Sequence, residues 1–327
     1  MQTRRVWWFV GMLAAGCGSS PGGGAGRPVD AGDGPDASPV TDAGPVIPPD
    51  AAPPAARCDP KKPFAAPVAV ANVSSANRDQ GTIVVDELTI WFGSDRASPT
   101  MIYEAKRDTP AGAFHTPVAL KNINGTLPVL SPTLTGDGLT LYYTQQAGAA
   151  QGDIMVSHRA SRDVDFPAGT AVIGVNSTVD DEDPYITPDG SALYFGSSRG
   201  SANNAQLDMY VAFRQANGTF ATPQVIPGNN LNTPFPDSHP HLTPDGLTLY
   251  WSSNRTDGGA QGGTDIWLAT RTSTAGEFAN PTRVPELSSA MNESLSWISD
   301  DGCEAYLQSD RPGGLGAQDI YVAHRPL

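Results

Sequence analysis

The stretch "GLTLYWSSNR", residues 246 to 255, follows Asp245, runs through an apolar and aromatic core, and ends on a polar Ser-Ser-Asn-Arg cluster. An Asp-Gly pair leading into such a run is the chemistry of a tight hairpin feeding a β-strand, because glycine accepts the positive φ that the turn requires. The run recurs as "ELTIWFGSDR" (87–96), "GLTLYYTQQ" (138–146), "SALYFGSSR" (191–199) and "CEAYLQSDR" (303–311). With Phe92, Tyr143, Phe195, Trp251 and Leu307 as markers, the copies lie 51, 52, 56 and 56 residues apart. A fixed period of this length is the mark of a repeat architecture.

Working outward, each copy carries the same accessories. Asp-Gly turns precede four of them, at Asp137, Asp189, Asp245 and Asp301. A second run follows each core, "MIYEAKR", "DIMVSHR", "DMYVAFR", "DIWLATR" and "DIYVAHR", ending in Arg107, Arg159, Arg214, Arg271 and Arg325. A third follows as "GAFHTPVAL", "VDFPAGTAVI", "GTFATPQVI" and "GEFANPTRV", and a short "PYIT" or "PHLT" segment opens the next unit. Four short strands in about 50 residues make a propeller blade. The fifth copy ends before its outermost strand, while "KPFAAPVAVANVSS" (62–75) is an unpaired strand ahead of the first copy. Closing the circle solves both problems, so the expected fold is all-β, a five-bladed β-propeller over residues 58–327, with a diverged sixth blade as the alternative.

The closure bears on the cysteines. Cys58 would stand just ahead of the N-terminal strand and Cys303 at the start of the last blade's second strand, so both fall at one end of one blade, and a Cys58–Cys303 disulfide is expected.

The chain ahead of residue 58 has a different composition. "MQTRRVWWFVGMLAAGC" (1–17) has two arginines, an apolar run from Val6 to Ala15 and small residues before Cys17, the layout of an export signal. Its end, "LAAGC", resembles the lipobox of bacterial lipoproteins, with Leu13 one place further from the cysteine than is usual. The resemblance implies lipidation of Cys17, a membrane anchor through the acyl chains, and an outer-membrane address facing the periplasm or the cell surface. Residues 18–57, rich in Gly, Pro, Ala and Asp, read as a disordered tether. A formal charge of −14 argues against nucleic acid as a partner.

The units containing "DEDPYITPDGSALYFGSSR" and "SHPHLTPDGLTLYWSSNR" resemble the TolB-like, WD-related propeller repeats of bacterial envelope proteins. That resemblance covers about 260 residues and implies a platform for an envelope protein partner.

Three features are candidates for a site. The glycine-rich stretches "SRGSANNAQLD", "NRTDGGAQGGTD" and "DRPGGLGAQD" lack a following helix to cradle phosphate and read as scaffold loops, closed by pairing Arg199, Arg255 and Arg311 with Asp208, Asp265 and Asp319. The residues opening each innermost strand, Arg78, Val129, Asp181, Asp237 and Glu293, with Asp79, Glu182 and His239 beside them, point to an acidic channel mouth. Such a mouth is read as strand-capping turns, as a docking surface for a basic loop, or as a carboxylate pair for glycoside hydrolysis. His239 and His241 flank Pro240 without a third ligand nearby, so no metal and no cofactor is expected. Uniform blades and the absence of a nucleophile elbow or Asp-box favour a chain that is not an enzyme, with a glycan-binding or glycan-cleaving propeller as the alternative.

Overall fold

The computed structural model describes residues 57–147, 151–200 and 206–327. The signal segment, Cys17 and the tether up to residue 56 lie outside the described residues. Twenty strands and no helix are present among the described residues. After β1 (Val68–Ala69), the first blade contains β2 (Asp79–Asp86), β3 (Thr89–Ser94), β4 (Met101–Lys106) and β5 (Val118–Ala119). The second is β6 (Val129–Leu134), β7 (Thr140–Gln146), β8 (Gly152–His158) and β9 (Thr170–Ala171). The third is β10 (Asp181–Ile186), β11 (Ala192–Ser197), β12 (Asp208–Phe213) and β13 (Gln224–Val225). The fourth is β14 (Asp237–Leu242), β15 (Thr248–Ser253), β16 (Asp265–Thr270) and β17 (Ala279–Arg283), and β18 (Glu293–Ile298), β19 (Glu304–Ser309) and β20 (Asp319–His324) begin the fifth.

Each blade is a four-stranded antiparallel meander, and the fifth is completed by β1 on the outside of β20, with Val68 opposite Val322 and Ala69 opposite Tyr321. The ring therefore has five blades, with no sixth. Cys58 and Cys303 are bonded beside this joint, with Cα atoms 5.6 Å apart.

Why the second strands read as unbroken apolar runs follows from the ring. Both faces of each blade pack on a neighbour, so β3 and β11 are buried at every position. Five apolar clusters result, one between each pair of adjacent blades; one joins Tyr194, Met209 and Leu231 of the third blade to Trp251, Trp267 and Phe278 of the fourth. Gly93 marks a close approach, since a Cβ there would stand 3.2 Å from the Cβ of Leu130 in the next blade.

The arginine directly after the third strand of each blade has one role in all five. Its Nε donates to a carbonyl of its own blade's hairpin, that of Glu87, Gly138, Gly190, Gly246 or Gly302, at 2.7 to 2.9 Å. Its guanidinium lies over Phe114, Phe166, Phe220, Phe278 or Phe64, 3.9 to 4.8 Å from the ring centroid. The plane stacks on the aromatic face while its edge ties down the turn. In the fifth blade the phenylalanine comes from the N-terminal segment, so this contact also fastens the closure.

Candidate functional site

Four innermost strands open on a carboxylate that faces into its own blade. Asp79, Asp181, Asp237 and Glu293 are fully buried. Each accepts the backbone N–H and the hydroxyl of a Ser or Thr four residues upstream: Ser75, Ser177, Thr233 and Ser289. Each also pairs with an arginine from the loop after the second strand: Arg96 on Asp79 at 2.9 Å, Arg199 on Asp181, Arg255 on Asp237 at 2.9 Å and Arg311 on Glu293 at 3.2 Å. These clamps close the turn from one blade to the next. Two expectations are corrected by them. Asp181, Asp237 and Glu293 do not line an open acidic mouth, and the arginines do not pair with Asp208, Asp265 and Asp319. Asp265 and Asp319 instead accept backbone N–H groups of their own loops.

The second blade lacks the whole clamp. Val129 stands where the carboxylate would be and Gly125 where the hydroxyl would be. The pairing of Val129 with Gln145 puts Ala147, rather than Gln146, at the arginine's position. Replacing every partner together leaves no buried charge unpaired.

The channel itself is shaped two residues further on. Gly81, Ser131, Asp183 and His239, each third in its innermost strand, have φ of 59°, 49°, 54° and 54°. The pairing register shifts at each of them. Such a bulge re-aims a side chain, and here the side chains turn toward the axis. At Gly81 nothing else fits, because a Cβ would come within 2.9 Å of the Ser131 Cα.

These residues meet across the channel. Ser131 Oγ donates to Asp183 Oδ1 at 2.8 Å, and His239 Nδ1 lies 3.1 Å from Asp183 Oδ2 and 2.9 Å from Ser238 Oγ. Gln308 Nε2 approaches His239 Nε2 at 3.5 Å, while Gln308 Oε1 accepts the Gly81 N–H at 2.7 Å. All five blades thus contribute to one polar ring. Its order is Ser–Asp–His, with the carboxylate in the middle, so the Ser131 hydroxyl meets a carboxylate rather than the imidazole, and the ring is not a Ser-His-Asp triad.

Glu182 stands next to this ring on the side where the innermost strands begin. It is half-buried, and among the described residues its carboxylate makes no hydrogen bond or ion pair. Burial, followed by the charge of Asp183, pushes its pKa up to about 8, against an opposing pull from Arg78. Arg78 is held by Asp95 at 3.2 Å with its side chain 43% exposed. Of the expected mouth residues, Arg78, Glu182 and His239 therefore gather at the channel, and Asp183 and Gln308 join them without having been anticipated. The Asp-Pro and His-Pro pairs at 183–184 and 239–240, together with Ser131-Pro132, were the available signal for these bulges. His239 and His241 do not converge on a common ligand position, and no group of three metal-ligating side chains is found among the described residues.

No family model and no curated protein matches the chain. Solved structures do. The GH43_1 enzyme from Xanthomonas citri complexed with xylotriose matches with a TM-score of 0.52 at 16% identity, covering 80% of this chain and 89% of that one. A family 117 glycoside hydrolase from Zobellia galactanivorans gives 0.51 at 16% identity over 80% and 90%. TolB from Acinetobacter baumannii gives 0.41 at 15% identity over 80% of this chain and 54% of that one, so the chain spans about half of that TolB. At these identities the likeness is one of fold. It corrects the expectation that the chain is not an enzyme: uniform blades gave the ground for that expectation, and propellers superposable on this one are glycoside hydrolases.

Proposed function

We propose that this propeller binds a glycan chain at the end of the channel where its innermost strands begin, and cleaves a glycosidic bond there. The observation that carries the reading is Glu182, a half-buried carboxyl beside Asp183 with no hydrogen-bond or ion-pair partner among the described residues, an environment whose burial and neighbouring charge favour the protonated form. Glycoside hydrolysis needs one carboxyl that keeps a proton at neutral pH and a second that serves as nucleophile or general base. Glu182 suits the first role, giving its proton to the leaving oxygen as the bond breaks. Asp183, which accepts a hydrogen bond from Ser131 and has His239 against its other oxygen, suits the second. The fold shared with glycoside hydrolases supports the same reading. With Cys17 lipidated, the enzyme would work at the cell envelope on surface or extracellular polysaccharide.

The test is release of reducing ends from xylan, arabinan and agar by the full chain. Glu182→Gln is expected to lower turnover at least about 100-fold, the usual contribution of general acid catalysis. Wild-type turnover should fall as the pH rises through about 8, when Glu182 loses its proton. A wild type inactive on every polysaccharide, or a Glu182→Gln variant of unchanged activity, would overturn the assignment.

A separate expectation concerns stability. The folded-state pKa of Glu182 lies above its ordinary 4.5, so between pH 4.5 and 8 the unfolded chain releases a proton that the folded one keeps. The contribution of Glu182 to stability is full below pH 4.5 and is lost toward pH 8. Glu182→Gln should remove that decline, giving a Tm above the wild type's at pH 8 and no difference at pH 4, as thermal melts across this range would record.

A further inference from the structure

On the other side of the ring, toward the hairpin ends of the blades, the channel holds a cavity of about 100 Å³. Exposed Pro188, Pro244 and Asp300 stand at its rim, and Asp183 and His239 form its far end. His241 lies deep in its wall, only 7% exposed. Its ring is held against Tyr185, with centroids 4.2 Å apart, and its Nε2 accepts the N–H of Ile298 at 3.4 Å. The proton therefore sits on Nδ1, which has no acceptor among the described residues. Burial pushes this imidazole down to about 3, so it is neutral throughout the physiological range. Ser296, on the fifth blade's innermost strand, lines the same cavity, and its Oγ is buried without a partner among the described residues. The half-buried Trp297 completes the wall.

Leaving a buried polar group unsatisfied costs about 1–3 kcal/mol, and Ser296 Oγ is such a group in this cavity, beside the Nδ1–H of His241, which has no acceptor among the described residues. The occupant they fit supplies an acceptor to His241 and a hydroxyl to Ser296. An anion is disfavoured by Asp183 and Asp300, and an ammonium group offers no acceptor to the His241 Nδ1–H. Trp297 offers an apolar face of the kind on which the C–H side of a hydroxylated carbon skeleton packs.

We propose that this cavity is a second site, entered from the hairpin end of the channel, that binds a small neutral polyol or the polyol edge of a single sugar unit. It lies across the ring from Glu182 and does not depend on glycan cleavage. The test is calorimetric titration of the full chain with glycerol and, separately, with free xylose and arabinose. Saturable binding in the millimolar range is expected for at least one of them. Tighter binding of a sugar would assign the site to a sugar unit, and binding of glycerol alone to a free polyol; either supports the site. His241→Phe keeps the ring stacked on Tyr185 but removes the donor, and should weaken binding more than tenfold. Ser296→Ala, which removes one oxygen and is the variant to use should His241→Phe fail to fold, should weaken it about fivefold. Binding is read as heat with no polysaccharide present and no bond cleaved, which separates failure of this site from failure of the proposed catalysis. No saturable binding of any of the three compounds, or binding unchanged in Ser296→Ala and in a folded His241→Phe, would overturn it.

Discussion

Reduction of the Cys58–Cys303 bridge, or replacement of Cys303 by Ser, is expected to lower the stability of the propeller by about 5 kcal/mol. The bridge spans 245 residues of sequence, and the chain-entropy cost of closing so long a loop is, on the usual model, slightly above the roughly 4.7 kcal/mol of a 100-residue loop. Without it, ring closure rests on the two-residue pairing of β1 with β20, on flanking backbone bonds such as Ala65 N–H to the His324 carbonyl at 2.8 Å and Val70 N–H to the Ile320 carbonyl at 2.9 Å, on the packing of Val70 and Val73 with Tyr306 and Ile320, on Phe64 under Arg325, and on the exposed Arg57–Asp301 pair at 2.7 Å. The last of these contributes little, because both partners are in water. Urea unfolding with and without reductant would show the change as a lower midpoint at a similar slope. An unchanged midpoint would mean that β1 and Phe64 hold the ring without the bridge.

The second large effect is expected from Arg255→Ala. Arg255 is 5% exposed and Asp237 not at all. The guanidinium meets Asp237 at 2.9 Å, the Leu231 carbonyl at 2.7 Å and the Ser253 hydroxyl at 3.0 Å, and it lies over Trp267 at 4.6 Å. Its removal leaves a buried carboxylate without a countercharge, a defect that costs about 3–5 kcal/mol. The second blade indicates the compensation. Asp237→Val combined with Arg255→Ala copies its Val129 and Ala147, and should recover much of the loss. Recovery is expected to be partial, since Trp251 Nε1 donates to Asp237 at 3.2 Å and would lose its acceptor. Chemical denaturation of the two single variants and the double variant forms a cycle whose interaction term should be large and favourable. Additive losses would show instead that the pair is not a unit.

The blades were legible because each records itself locally. The Asp-Gly turn, the apolar run and the terminal arginine sit within about 25 residues of one another, and the run and the arginine repeat five times, the turn four. Even the orphan strand at 62–75 and the two cysteines could be placed, since a ring of equal blades has one way to close. The carboxylate clamps were half legible. The Ser or Thr four residues before Asp79, Asp181, Asp237 and Glu293 recurs in plain sight, yet the arginines were assigned to the acidic residues at the other ends of their own loops. Sequence proximity favoured Asp265 for Arg255, whereas the strand register sets Ser253 opposite Asp237 and brings Arg255 beside it.

The channel was not legible, and its chemistry changes the reading of the molecule. Ser131 and Asp183 are 52 residues apart, and Gly81 and Gln308 are 227 apart. No local pattern says that they touch. What the sequence determined by itself is the five-fold repeat, the strand order within each blade and the point of closure, all of which follow from short-range alternation, turn chemistry and the need to bury sheet edges. The tertiary structure alone decided which polar residues are scaffold and which face the channel. Five bulged strands converge on one axis, and only their convergence buries Asp181 in its clamp, leaves its neighbour Glu182 without a partner, and turns Asp183 into the ring.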